Sequence, residues 1–246
     1  YRKISEKFTF VGYLAALVPT IILPYYCVIG GWVLRYIFVY VQGLTTEAAT
    51  DSFFGGFIGD TFSPFFYFLI FLILTTLVVI AGVEKGIEKA SKILMPILLV
   101  IIIGISVYIM FIPGTLEGIR YYLVPAFDKF SFKTVCAAMG QMFFSLSLAM
   151  GIMVTYGSYI KDDVSLTKSV NQIEIFDTVV ALLAGFLVIP IVYAFSGEAG
   201  LTANGPGLMF VSLPKIFAQM AGGRIMGLAF FMLVLFTAVT SSVSVM

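Results

Sequence analysis

The sequence predicts an all-α fold, a polytopic transmembrane helical bundle. Three observations carry that prediction. The 246 residues are 61% apolar, with a mean hydropathy of +1.08. Only 11% are charged, against roughly 25% in a soluble domain. The apolar residues also come in long unbroken runs, not in the alternation of a transmembrane barrel. The net charge of +1 gives no field for nucleic acid. The absence of histidine excludes imidazole zinc sites and histidine-based hydrolases. Cys27 and Cys136 show no CxxC spacing, so neither a disulfide nor a metal clip is indicated. The chain begins at Tyr1 and stops at Met246 inside an apolar run, and we read it as an internal piece of a longer transporter-like chain.

A helix needs roughly 20 apolar residues to cross the hydrocarbon core. Six spans are expected in one transmembrane domain, over about residues 10–41, 64–83, 90–112, 134–160, 170–195 and 222–246. A further apolar stretch within about 199–221 contains Gly205-Pro-Gly207 and Pro214, and reads as a broken outer re-entrant or hairpin segment.

The first span carries Pro24-Tyr25-Tyr26 at its middle, whereas interfacial tyrosines belong at span ends. A phenol at that depth needs a hydrogen-bond partner, either another helix's carbonyl or a substrate carboxylate. Ile22 and Tyr26 share a helix face. The following loop, 42–63, holds Glu47, Asp51 and Asp60 without Lys or Arg. Between the second and third spans, Glu84–Glu88 and Lys85–Lys89 are like-charge i,i+4 pairs. That segment therefore reads as an interfacial helix start with snorkelling lysines, not an ion-pair ladder. Pro96 falls in the early turns of the third span.

In the fourth span, Gln141, Ser145 and Ser147 lie between Gly140 and Gly151. Two residues apart is about 200° around a helix, so both serines reach one ligand only if the helix is broken between them. The residues alone leave two readings, a broken helix lining a cavity or an intact one with back-bonded serines. Asp177 heads the fifth span, either solvated at the inner interface or facing inward as a hard cation ligand or proton carrier. The last span carries Thr237, Thr240, Ser241 and Ser244 at i, i+3, i+4, i+7. That stripe suits small-residue helix packing or a set of neutral oxygens for sodium.

Basic residues set the direction. With the N-terminus inside, Arg2, Lys3, Lys7, Lys85, Lys89, Lys92, Lys161 and Lys168 sit in short cytoplasmic loops. Arg120, Lys129, Lys133, Lys215 and Arg224 fall in longer outer ones, and Arg35 near the outer end of the first span.

Five stretches, in order, resemble the neurotransmitter:sodium symporters, bacterial-type members in particular. Val18 to Tyr26 with Gly30-Gly-Trp32 resembles that family's third helix, and Lys85 to Pro96 the start of its fifth. Gly140-Gln-Met-Phe-Phe-Ser-Leu-Ser147 resembles its unwound sixth helix, Gly205 to Pro214 its outer loop, and Thr240-Ser-Ser242 its eighth helix. The resemblance implies a fragment covering helices three to eight of a partial LeuT-type inverted-repeat fold with a broken central helix. It implies no enzyme and no organic cofactor. The implied protein is a multi-pass plasma-membrane symporter that co-transports Na⁺ with an amino acid by alternating access.

Residue by residue, the resemblance implies that Tyr26 binds the substrate carboxylate and Ile22 lines the pocket. Phe144 would be its lid, Ser145 and Ser147 would lie at the unwound point, and Met150, Ser241 and Val245 would shape the site. The first sodium would meet Ser145 and Asp177, the second Thr237, Thr240 and Ser241. Many relatives carry Asn where Asp177 stands, so a built-in negative charge is expected to make transport independent of chloride. Met150 and Ile22 suit a large apolar or aromatic side chain. The competing expectations are a cation-coupled carrier of an amine or other small solute, an intramembrane enzyme, and a non-transporting structural fragment.

Overall fold

The computed structural model describes residues 9–127, 130–148, 150–160, 164–201 and 205–246, with the side chains of residues 83–85 excepted. Arg2, Lys3, Lys7, Lys129 and Lys161 lie outside the described residues, as does the side chain of Lys85. The described chain is helical throughout its ordered elements. Helix α1 spans Thr9–Gln42, α2 Thr45–Ala48, α3 Asp51–Gly59 and α4 Phe62–Ile80. A π-helical turn over Val83–Glu88 leads into α5, Lys89–Ile109. Then come α6 (Thr115–Leu123), α7 (Phe132–Ser145), α8 (Ile152–Gly157) and α9 (Leu166–Gly200). The chain closes with α10 (Gly205–Gly207), a π-helical stretch Leu208–Ser212, α11 (Leu213–Gln219) and α12 (Gly223–Val245). Among the described residues, five helices are long and apolar enough to cross a membrane: α1, α4, α5 with its lead-in, α9 and α12. The stretch 134–160 is not one helix; it is divided between α7 and α8.

The chain forms two compact units. One comprises the described residues up to Tyr25, Pro125–Leu182 and Ser244–Met246; the other comprises Tyr26–Val124 and Leu183–Val243. In the second unit the helices meet through small residues. A Cβ on Gly31 would lie 2.7 Å from the Phe68 backbone nitrogen, and one on Gly118 2.6 Å from Pro190 Cα. A Cβ on Gly227 would lie 2.0 Å from the Tyr40 ring. In lipid, where burial of apolar surface drives nothing, such close backbone approach is what helix association relies on. Around these contacts Trp32, Tyr36, Phe54, Phe210 and Phe231 pack edge-on, tilted or stacked, with centroids 4.8–6.1 Å apart.

α1 ends where Gly43, at φ 83°, takes the left-handed position that a side chain resists. Its terminal carbonyls are capped from α12, Arg224 donating from Nε to Tyr40 O (3.1 Å) and from Nη2 to Val41 O (2.5 Å).

The structure adds detail to three segments. In the stretch expected as an outer re-entrant or hairpin segment, residues 205–219 run as consecutive helical elements through Pro214, α9 is kinked before it at Gly197 (φ 63°), and residues 202–204 lie outside the described residues. Pro214 has no N–H, so the carbonyl of Phe210, four residues back, loses its helical donor. The turn widens into a π-helix there, and Tyr36 Oη donates to Phe210 O at 2.5 Å instead. The lysine-rich segment does contain an ion pair, Glu88–Lys92 at 2.5 Å and i,i+4, which the like-charge spacings concealed. It is exposed and worth little. The loop 42–63 carries α2 and α3, and Lys215 of α11 pairs with Asp51 at the start of α3.

Candidate functional site

The break between α7 and α8 is the structural feature from which the site is built. α7 closes with Ser147 N–H on Phe144 O (3.1 Å) and Leu148 N–H on Phe143 O (2.9 Å). This paired closure puts Ser147 in the position usually held by glycine. Ser147 has φ 53°, alone among the described non-glycine residues in being positive. A left-handed residue bearing a Cβ costs about 1–2 kcal/mol, and strain of that kind gathers where function requires an irregular backbone. Gly151, at φ 76°, opens α8, and its carbonyl takes the Thr155 N–H at 3.1 Å. The broken reading of the two serines is therefore the one realised.

At the end of α7, Ser145 Oγ donates to Asp177 Oδ1 at 2.7 Å. Asp177 is half-buried and lies well inside α9, because that helix starts at Leu166 rather than at 170. A hydroxyl donating to a carboxylate keeps its own lone pairs, and the carboxylate keeps its second oxygen. The pair is thus a hard-oxygen set carrying one negative charge, chemistry suited to a small hard cation. Among the described residues no three Cys, Asp or Glu side chains cluster as a metal site.

On α12 the hydroxyl stripe turns its protons backwards. Thr237 Oγ1 donates to Leu233 O (3.0 Å), and Thr240 Oγ1 lies 3.0 Å from both Phe236 O and Thr237 O. A hydroxyl that donates to the preceding turn can still accept through its oxygen. Thr240, Ser241, Ser244 and Val245 are half-buried and Thr237 is exposed, while Ala238, Val239, Ser242 and Val243 form the packed side of the helix. On α1, Ile22 and Tyr26 are half-buried and Tyr25 is exposed. Met150 and Ser147 are half-buried in the break, and Phe144 is exposed at the end of α7. Of the residues singled out from sequence, Ser145 and Asp177 are hydrogen-bonded across two helices and Thr240 reaches the Thr237 carbonyl within α12; Ile22 and Tyr26 lie on α1, Phe144 at the end of α7, Ser147 and Met150 in the break, and Ser241 and Val245 on α12.

Sequence reasoning missed the hydrogen bond from Tyr156 Oη on α8 to Ser244 Oγ on α12, 2.9 Å. A tyrosine five residues beyond a mid-membrane glycine was the signal available. It also missed the aromatic cluster, although Trp32, Tyr36 and Tyr40 recur every four residues along one helix face.

The family model described as "SNF: Sodium:neurotransmitter symporter family" matches residues 58–246. The chain belongs to the sodium:neurotransmitter symporter family. It is 34% identical over 251 residues to an uncharacterized sodium-dependent transporter of Haemophilus influenzae, covering 99% of this chain and 54% of that protein. It is 34% identical over 236 residues to the Bacillus subtilis sodium-dependent transporter YhdH, covering 95% and 52%. The chain thus spans about half the length of the curated relatives it matches. Its fold matches the crystal structure of MhsT in complex with L-phenylalanine with a TM-score of 0.82 and 36% identity, over 97% of this chain and 54% of that one. The fold of this chain is therefore the LeuT type with a broken central helix, and its relatives are transporters, not enzymes.

Proposed function

We propose that this chain supplies the sodium- and substrate-binding helices of a symporter that carries an amino acid with a large apolar or aromatic side chain, driven by Na⁺. The observation that carries the reading is the Ser145–Asp177 bond at the strained break, where a hydroxyl and a carboxylate meet beside irregular backbone. Irregular backbone at membrane depth persists where it lines a cavity or binds an ion. The neighbour solved with L-phenylalanine supports the amino-acid class.

In this reading Ser145 and Asp177 hold one sodium ion, and the Thr237 carbonyl with the Thr240 and Ser241 hydroxyls holds a second. Tyr26 donates to the substrate carboxylate and Ile22 lines the pocket beside it. Phe144 closes the pocket, and Ser147, Met150, Ser241 and Val245 shape it. Sodium and the carboxylate stabilise each other's binding, and that reciprocal coupling free energy links the ion gradient to uptake. The Asp177 carboxylate supplies the negative charge that would otherwise be recruited from chloride, so transport is chloride-independent. The protein sits in the plasma membrane with the beginning of this sequence on the cytoplasmic side.

The test is binding of labelled L-phenylalanine to the full-length protein in sodium, in potassium, and in sodium with gluconate replacing chloride. Binding that needs sodium and ignores chloride supports the reading. Binding equal in sodium and potassium overturns the coupling, and a steep rise with chloride overturns the role of Asp177.

A further inference from the structure

The two halves of the broken helix are held by different partners. Outer half α7 is tied at its end to α9 through Ser145 and Asp177. The short inner half α8 is tied to α12 through Tyr156 Oη and Ser244 Oγ, 2.9 Å apart and partly buried. α8 has six residues, with Gly151 in the left-handed region at its head and Gly157 at its tail. A segment this short, bounded by glycines, does not fix its own direction. The start of α8 also packs closely: Ile152 is buried, and a Cβ on Gly151 would lie 2.9 Å from Ala15 Cβ and 3.0 Å from its carbonyl oxygen. Such contacts press the start of α8 against α1, and among the described residues Tyr156 gives the helix a directional side-chain bond to another helix.

Ser244 is the decisive partner because of its register. It lies four residues beyond Thr240 and three beyond Ser241, one turn further along the same face of α12. We propose that Tyr156 is a positioning residue: through Ser244 it locks α8 to the hydroxyl-bearing face of α12, so that sodium bound there and the orientation of the inner half-helix are coupled. This inference rests on the sodium-coupled reading above. Tyr156 touches neither ion nor substrate. Its effect is on how strongly sodium favours the binding-competent arrangement of the break.

The experiment uses the full-length protein and reads the sodium concentration for half-maximal L-phenylalanine binding. A separate measurement gives the substrate Kd at saturating sodium. Tyr156→Phe removes only the hydroxyl. It is expected to raise the sodium midpoint about tenfold, the equivalent of about 1.4 kcal/mol, while the substrate Kd at saturating sodium stays within about twofold. Ser244→Ala is expected to shift the midpoint alike, and the double variant no further, because both remove the same bond. Ser244→Thr, which keeps an acceptor oxygen, is expected to stay near the unsubstituted midpoint. If Tyr156→Phe fails to fold, the Ser244→Ala and Ser244→Thr pair decides alone. A sodium curve unmoved in Tyr156→Phe and Ser244→Ala overturns the inference, as do single shifts that multiply in the double variant. Those results leave the symporter reading standing. Loss of sodium-stimulated binding in the unsubstituted protein would overturn both.

Discussion

Asp177→Asn removes one negative charge from the end of the break and little else, since the amide has nearly the same volume. The magnitude follows from the geometry. The Ser145 hydroxyl donates to the carboxylate at 2.7 Å, a charge-assisted bond worth about 1.5–3 kcal/mol, against about 0.5–1.5 kcal/mol for a neutral acceptor. A cation about 4 Å from a unit charge gains on the order of 4 kcal/mol at an effective dielectric of 20. Asp177 is only half-buried, so solvent screening reduces that figure. About 1.4–2.8 kcal/mol of sodium binding remains at stake, ten- to a hundredfold in affinity. The assay is L-phenylalanine binding to the full-length protein against sodium concentration at constant ionic strength, in chloride and in gluconate. The expected result is a sodium midpoint raised ten- to a hundredfold in gluconate and partly recovered in chloride, because a mobile anion can return the missing charge. A midpoint within twofold of the unsubstituted protein would refute the assignment of Asp177 as a sodium ligand.

Tyr26→Phe is expected to lose about 1–3 kcal/mol of affinity for amino acids by leaving the substrate carboxylate without a donor. A primary amine lacking the carboxylate should be indifferent to the change, which competition binding would reveal. Tyr36→Phe leaves the Phe210 carbonyl without the donor that replaces Pro214's missing N–H, at a cost of about 1–3 kcal/mol, read as a lowered Tm in detergent. Asp60 caps α4, accepting from Ser63 N at 3.0 Å and Phe62 N at 3.4 Å. The Ser63 hydroxyl, with those backbone N–H groups, holds its carboxyl below the usual value. A depressed folded-state value means that the cap is intact above the ordinary carboxylate range and lost as pH falls through the lowered value. Amide exchange at Phe62 and Ser63 should therefore stay protected at neutral pH and quicken only in strong acid, with Asp60→Asn flattening that dependence.

The membrane spans were legible because hydropathy is a local sum. The runs that become α1, α4, α5, α9 and α12 need no partner to declare themselves. The break was half legible. Gly140 and Gly151 flank a pair of serines, but composition allows an intact helix as readily as a broken one. What settles it is the closure of α7 on Phe143 and Phe144 with Ser147 left-handed, a conformation the neighbouring helices must enforce against its own cost. The path through Pro214 was hidden for a related reason. Proline reads as a stop signal in a lone helix, and the phenol of Tyr36, 174 residues away, donates to the Phe210 carbonyl that Pro214 cannot serve.

The residues by themselves determined the class of molecule, its helices and its supply of oxygen-bearing side chains at membrane depth, since all of these follow from local composition and period. Tertiary structure decided which of those side chains meet. Ser145 and Asp177 are 32 residues apart in the chain and Tyr156 and Ser244 are 88. Each polar group in lipid takes whatever partner the packing brings within about 3 Å, and no local pattern carries that distance.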